Sequence, residues 1–238
     1  MNWQELASQL FPGGHDIVET DHFLSGSASV GGRTVTVIGT TGHTPIGVDI
    51  ALAQAKAVLD TVRNHAQRPI VILVDTQGQR LRHRDEMLGI NSYMAHLGKC
   101  IDLARRRGHT VIGLVYDQAL SGGFITSGLM ADACYALPQA TIRVMGLPAM
   151  ARITKVAEER LAELAVDNPV FAPGAHNYLA MGGVEAIWEG ELAAQLEQAL
   201  DHAVPQDRRA ELGAQRGGRK WSQRVVQAVL ADSHARAA

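Results

Sequence analysis

Pro69-Ile70-Val71-Ile72-Leu73-Val74-Asp75-Thr76-Gln77-Gly78-Gln79 is an unbroken apolar run that stops abruptly in a polar turn. No polar residue alternates within 69–74, so the segment predicts a strand covered on both faces, as in a parallel sheet. Parallel strands need long crossovers, and the flanking sequence supplies helices on both sides. Upstream, Ala51, Leu52, Ala55, Val58, Leu59 and Val62 recur at three and four, predicting a helix from Val48 to about Asn64. Downstream, Met87, Ile90, Met94, Leu97, Ile101 and Ala104 form one apolar stripe. That helix closes at Arg105-Arg106-Arg107-Gly108, where basic residues and a glycine suit a C-terminus. Thr110 to Tyr116 then returns as a second buried strand, completing a right-handed βαβ unit.

Working outward, Ser27 to Ile38 alternates around Gly31-Gly32 and reads as a β-hairpin, so the chain is expected to open with strands. After the second buried strand, Ala119-Leu120-Ser121-Gly122-Gly123 leads into a helix expected over Phe124 to Met130, and Ala133 to Met145 reads as one or two short strands. Beyond Pro148 the pattern is helical. Ile153, Val156, Leu161 and Leu164 stripe one helix, Pro169 and Pro173 break the chain, and Gly174 to Met181 and Glu191 to Ala203 supply further helical patterns. The tail after Pro205, with Arg208-Arg209 and Arg216 to Lys220, is expected to be helical or loosely packed, or to face a partner. The chain is therefore read as one α/β domain over 1–238, with its core at about 27–200 and its tail at 205–238.

Composition narrows the function classes. The 238 residues carry 22 Lys plus Arg against 24 Asp plus Glu, a formal charge of -2. That balance supplies no field for nucleic acid. The short basic runs Arg80 to Arg84 and Arg105 to Arg107 read as solvated helix ends. No apolar run approaches the ~20 residues that span a bilayer, and Met1 to Glu5 lacks a basic and apolar leader, so the expectation is a cytoplasmic protein without a membrane contact. Cys100 and Cys134 have no second ligand pair nearby, even with His96 one turn before Cys100. No metal is expected, and both thiols read as buried small hydrophobes.

The chemistry is expected at two turns. Of five Gly-Gly pairs, only Gly122-Gly123 lies between a buried strand and a helix, where unpaired N–H groups and the helix dipole favour an anion or an oxyanion. Close helix-to-strand packing would demand glycine there equally well. The turn Gln77-Gly78-Gln79 ends the neighbouring parallel strand and should open on the same side. Two such turns could hold two N–H donors at the spacing that a charge developing on a carbonyl oxygen needs. Asp75 is expected to fix its turn by accepting backbone N–H groups rather than to act as a base. His43, His83, His96 and His176 are each candidates for catalysis without a spacing that selects one, and Tyr116 and Asp117 precede the glycine turn. Ala119-x-Ser121-x-Gly123 approximates a nucleophile elbow, for which Asp132, Asp167, His176 and His202 follow in chain order. A serine hydrolase using Ser121 is therefore one alternative. Phosphate-loop, dinucleotide, zinc-protease and redox signatures are absent.

Read in order, these segments resemble a known family. PIVILVDTQGQ (69–79) is similar to the P-apolar-D-T-P-G-A strand end of acyl-CoA carboxylase carboxyltransferases, and Thr110 to Asp132 resembles the S-G-G-A-L segment of their alpha half. Thr141 to Pro148 and Tyr178 to Ile187 look like the same family's closing pattern, so the resemblance spans about 27–200. It implies the crotonase or ClpP-like β-β-α superhelix, a carboxyltransferase-like domain with a helical C-terminal part. Within that superfamily the chain looks most like the gamma subunits of biotin-independent malonate decarboxylases. Such a subunit pairs with a beta subunit in a heterodimer with a shared active site. The pair converts malonyl to acetyl thioester on an acyl carrier protein (delta), and an alpha subunit moves the carrier between acyl groups. The carrier's prosthetic group is a triphosphoribosyl-dephospho-CoA derivative, not biotin. The resemblance implies that Gly78, Gln79, Gly122 and Gly123 line the site through backbone groups, with Ser121, Gln77 and Phe124 beside the substrate. Gln77, Gln79 and Phe124 replace the family's Pro, Ala and Ala. Whether the donors hold the thioester oxygen or the departing carboxylate stays open, as does a non-catalytic scaffold role.

Overall fold

The computed structural model describes residues 1–167, 174–219 and 221–237. It begins with a helix rather than a strand. α1 (Trp3–Leu10) is started by a capping box in which the Asn2 side chain accepts from the Glu5 N–H and the Glu5 carboxylate accepts from the Asn2 N–H. Only afterwards come β1 (Val18–Thr20), β2 (Phe23–Val30) and β3 (Arg33–Thr40). β2 and β3 form the expected hairpin, closed at Val30↔Arg33 by Gly31 and Gly32, both at positive φ as a tight two-residue turn requires.

α2 (Val48–Asn64) and β4 (Ile70–Thr76) follow the expected bounds. The apolar run of β4 divides between two cores. Val71 and Leu73 join the cluster that includes residues of α1, and Ile70, Ile72 and Val74 join the cluster of α2 and the next long helix. Burial on both faces is why no alternation shows in the sequence.

The single helix expected from Met87 is two. α3 (His83–Met87) ends before α4 (Ile90–Arg106), with Gly89 at φ 74 between them. Met87 is exposed and off the stripe, whereas Ile90, Met94, Leu97, Ile101 and Ala104 are buried as expected. β5 (Val111–Leu120) outruns its predicted end and passes straight into α5 (Ser121–Ile125). The helix expected over Phe124 to Met130 reduces to this short element and a 3-10 turn at Gly128–Met130. β6 (Ala133–Ala136) and β7 (Thr141–Arg143) are the two short strands expected there.

α6 (Leu147–Thr154) and α7 (Glu158–Asp167) replace the one helix striped by Ile153 and Leu164, because Lys155 turns left-handed at φ 60 and breaks the run. Ile153 is accordingly exposed. Pro169 and Pro173 lie outside the described residues. α8 (Ala175–Ala180), β8 (Ala186–Ile187), α9 (Leu192–His202), α10 (Arg209–Gln215) and α11 (Ser222–Ala237) complete the chain.

The sheet runs β1-β2-β3-β4-β5-β6-β8, with β7 beside β5. Only the first two pairings are antiparallel, and every later one is parallel, so β4 and β5 end side by side. Two basic residues of the tail bond main-chain carbonyls of the domain. Arg216 donates to the carbonyls of Leu179, Val184 and Glu185 (3.0, 2.9 and 2.9 Å), and Arg209 to those of Leu129 and Ala131 (both 2.7 Å). Arg105, expected at a solvated helix end, donates to Asp132 at 2.6 Å and to the Pro205 carbonyl. The tail's α10 is thus packed, while Val225, Val226, Val229 and Leu230 leave an apolar face of α11 exposed.

Candidate functional site

Parallel pairing brings the ends of β4 and β5 together, and the two glycine turns meet there. A Cβ built on Gly123 would stand 3.0 Å from the Gly78 Cα and 3.0 Å from Ile46 Cγ1; one on Gly78 would stand 3.0 Å from Leu120 O and Ser121 Cβ. Such distances are tighter than nearly all real Cβ contacts, so a side chain at 78 or 123 would push its neighbours back by a few tenths of an ångström, and glycine allows the close approach. Gly78 also sits at φ 99, a conformation open to glycine. Gly122 differs. A Cβ there would find only Gln79 Oε1 at 3.7 Å and Met94 Cε at 3.9 Å, ordinary contacts with room to spare.

The turn after β4 is stitched to the loop before α2. The Thr76 hydroxyl donates to Thr44 O (2.6 Å), Ile46 N–H to Gly78 O (2.7 Å) and Arg80 N–H to Ile46 O (2.9 Å). The Gly78 N–H is itself donated to Thr76 Oγ1 at 3.0 Å. Gly78 therefore shapes the turn, and its N–H is already committed, contrary to the expected donor role. Because Gly78 O and Arg80 N both engage Ile46, the intervening Gln79 N–H faces the other way, as alternate peptides of an extended segment do. On the opposite turn, Gly122 and Gly123 begin α5, whose first N–H groups have no carbonyl one turn back.

Other expected residues separate. Gln77 is exposed and its N–H donates to His43 O (3.3 Å). Phe124 is fully buried in the second core and meets Tyr178 edge to face at 6.1 Å. Its size filled core space that the sequence could not assign. Ser121 has the strained φ of 47 that an elbow would show. Its hydroxyl, however, donates to the Val144 carbonyl. Asp132 pairs with Arg105 and accepts the Val111 N–H, and His202 Nδ1 lies 2.9 Å from its own helix's Gln198 O. Of the four expected triad partners, Asp132 and His202 are thus engaged elsewhere, and His176 is exposed on α8. The Asp167 side chain lies outside the described residues.

One constellation escaped the linear reading. His43, Asp75 and Asp117 come from the loop after β3, from β4 and from β5, and their ligand-type atoms lie within 4.8 Å of one another, the one such group among the described residues. His43 Nε2 is 3.5 Å from Asp75 Oδ1 and 3.3 Å from Asp117 Oδ2. Asp75 fixes its surroundings as expected, accepting the His43 N–H (2.9 Å) and the Gln118 N–H (3.3 Å), one on each oxygen. Both Asp75 oxygens thus accept main-chain N–H groups, and the His43 ring stands within ion-pair distance of the two carboxylates. Burial pushes the Asp75 carboxyl above its usual range, and the His43 contacts only partly offset this. Tyr116 is structural. Its hydroxyl donates to Thr40 O at 2.9 Å, and burial raises its ionisation out of the working range. Cys134 is likewise inert, its thiol pushed up to about 12 by burial.

The family model for the malonate decarboxylase gamma subunit matches residues 41–233. The chain belongs to that family. A curated relative, the malonyl-S-ACP:biotin-protein carboxyltransferase of Malonomonas rubra, is 32% identical over 204 residues, covering 76% of this chain and 70% of its own. Two solved structures share the fold. The Pseudomonas malonate decarboxylase MdcD-MdcE hetero-dimer matches at TM-score 0.76 and 24% identity, over 96% of this chain and 97% of that one. The transcarboxylase 12S core matches at TM-score 0.71 and 20% identity, over 85% and 41%. The expected crotonase-like carboxyltransferase architecture is therefore present in this malonate decarboxylase gamma-family chain. Among the described residues no helix is long and apolar enough to cross a membrane.

Proposed function

We propose that this chain, with a beta subunit, decarboxylates a malonyl thioester to an acetyl thioester and CO₂. The thioester is carried on the triphosphoribosyl-dephospho-CoA group of an acyl carrier protein. The observation that carries the reading is the contact of Gly123 with Gly78, which sets two donor-bearing turns against each other at adjacent strand ends. Loss of CO₂ leaves the electron pair of the broken C–C bond on C2, delocalised onto the thioester oxygen. Fixed N–H groups aimed at that oxygen lower the barrier without any nucleophile. We assign the donors to Gln79 on one turn and to Gly122 or Gly123 on the other, with Ser121 holding the second turn through Val144.

The reading is tested by CO₂ release from malonyl thioester without biotin, for the co-purified pair and for each chain separately. Activity in the pair alone supports a shared site. Full activity of the beta subunit by itself would reduce this chain to a scaffold, and inactivity of the pair would overturn the proposal. The Malonomonas relative favours one second reading, transfer of the carboxyl group to a biotin protein. Accumulation of carboxybiotin when biotinylated acceptor protein is added would select it.

A further inference from the structure

We propose that His43 is the acid that protonates C2 of the enolate, and that Asp75 and Asp117 are its positioning residues. The inference rests on the decarboxylase reading above and names a proton source that reading lacks.

The observations are geometric. His43 leaves β3 in the loop that is tied to the Gln77–Arg80 turn by three successive contacts: Gln77 N–H to His43 O, the Thr76 hydroxyl to Thr44 O, and Ile46 N–H to Gly78 O. The main chain of His43 is therefore held at the same strand-end rim as the glycine turns. The imidazole Nε2 faces two carboxylates, at 3.5 Å on Asp75 and 3.3 Å on Asp117, while the ring is half-exposed. The loop is anchored without the ring, because Asp75 holds the His43 main-chain N–H directly. His43 also sits at φ 50, where a histidine costs more than the neighbouring glycine would.

A histidine that faces carboxylates through one nitrogen turns the other away from them. Nδ1 is then the nitrogen that gives up the proton. The C1–C2 π pair of the enolate becomes the new C2–H bond, the C–O⁻ returns to C=O, and the neutral imidazole is recharged by a proton from water. No other reactant is required. The charged groups that face the ring are Asp75 and Asp117; on the adjoining loop the His22 ring lies beside Gly42 and pairs with Glu19 at 3.6 Å, and the buried Tyr116 hydroxyl meets Thr40 O.

The test uses the intact complex and separates two steps. Bond cleavage is read by exchange of labelled CO₂ into the carboxyl group of the malonyl thioester, and protonation is read by formation of acetyl thioester. His43→Asn is the variant of choice because asparagine tolerates a left-handed φ. It is expected to slow acetyl formation ~10²-fold or more while labelled CO₂ exchange continues, the loss typical of a missing general acid. Added imidazole should restore acetyl formation in His43→Gly, and Asp117→Asn should shift the limb of its pH profile that reports the acid. Equal loss of both reactions in His43→Asn without imidazole rescue of His43→Gly, or no loss in either reaction, overturns the assignment. If the unmodified complex performs neither reaction, the decarboxylase reading itself falls.

Discussion

The main chain of Gly123 rests against that of Gly78, so closely that a single methyl group on Gly123 would stand 3.0 Å from the Gly78 Cα. The contact couples two turns that are 45 residues apart in the sequence, and it separates the roles of the two adjacent glycines at 122 and 123. Gly123→Val should displace the turns, abolishing decarboxylation while the subunits still co-purify. Gly122→Ala should leave the melting temperature nearly unchanged, since its methyl meets nothing closer than 3.7 Å. If the N–H groups of that turn face the reacting oxygen, the same methyl should lower kcat/KM by ~10²-fold. Full activity in Gly122→Ala would place the substrate elsewhere.

Thr76 gives both halves of its hydroxyl to the fold, donating to Thr44 O and accepting the Gly78 N–H. Thr76→Val preserves the side-chain shape and orphans both buried partners. An unsatisfied buried group costs about 1–3 kcal/mol, so urea denaturation should show a loss of that order, with activity falling as the Gly78 turn loosens. A loss too small to measure would mean that the two groups find other partners.

Asp75 predicts a pH dependence. Burial raises its folded-state carboxyl above the ordinary aspartate range, so the folded protein binds this proton more tightly than the unfolded chain does. The corresponding contribution to stability is complete below the unfolded value and is lost as pH rises through the folded one. Asp75→Asn, which has no such proton, should lack this downward step in a pH series of unfolding free energies. An identical pH slope in the two proteins would contradict the assignment.

Arg216 holds three carbonyls of the α8–β8 connection with one guanidinium. Arg216→Ala should cost about 2 kcal/mol, because hydrogen bonds to a charged donor contribute more than neutral ones. It should also make the segment after Pro205 the first site of limited proteolysis. Arg216→Lys should recover only part, since an ammonium cannot reproduce the planar fork.

Ser121 donates to Val144 O and has no histidine as its partner. A fluorophosphonate probe should leave it unlabelled, and Ser121→Ala should retain activity within a few-fold. Stoichiometric labelling would revive the hydrolase reading.

The local elements were legible wherever one rule acted alone. The apolar period of Val48 to Asn64, the two-sided run of β4 and the Gly31-Gly32 turn each express a single short-range constraint, and they fold as read. The broken helices at Gly89 and Lys155 were misread because apolar spacing continues across a residue that leaves the helical conformation. α1 escaped because its signal was the cap Asn2-x-x-Glu5 rather than the strand alternation that follows it.

By itself, the sequence determined the parallel α/β core, the order of its segments and the turn glycines, since these depend on residue type and spacing along the chain. Tertiary structure alone decided what those residues do. It committed the Gly78 N–H to Thr76, buried Phe124, set Arg209 and Arg216 onto main-chain carbonyls, and gathered His43, Asp75 and Asp117 from the loop after β3, from β4 and from β5. The physical reason is that hydrogen-bond partners and burial belong to pairs of residues brought together by strand register. That pairing exists only once β3, β4 and β5 lie side by side.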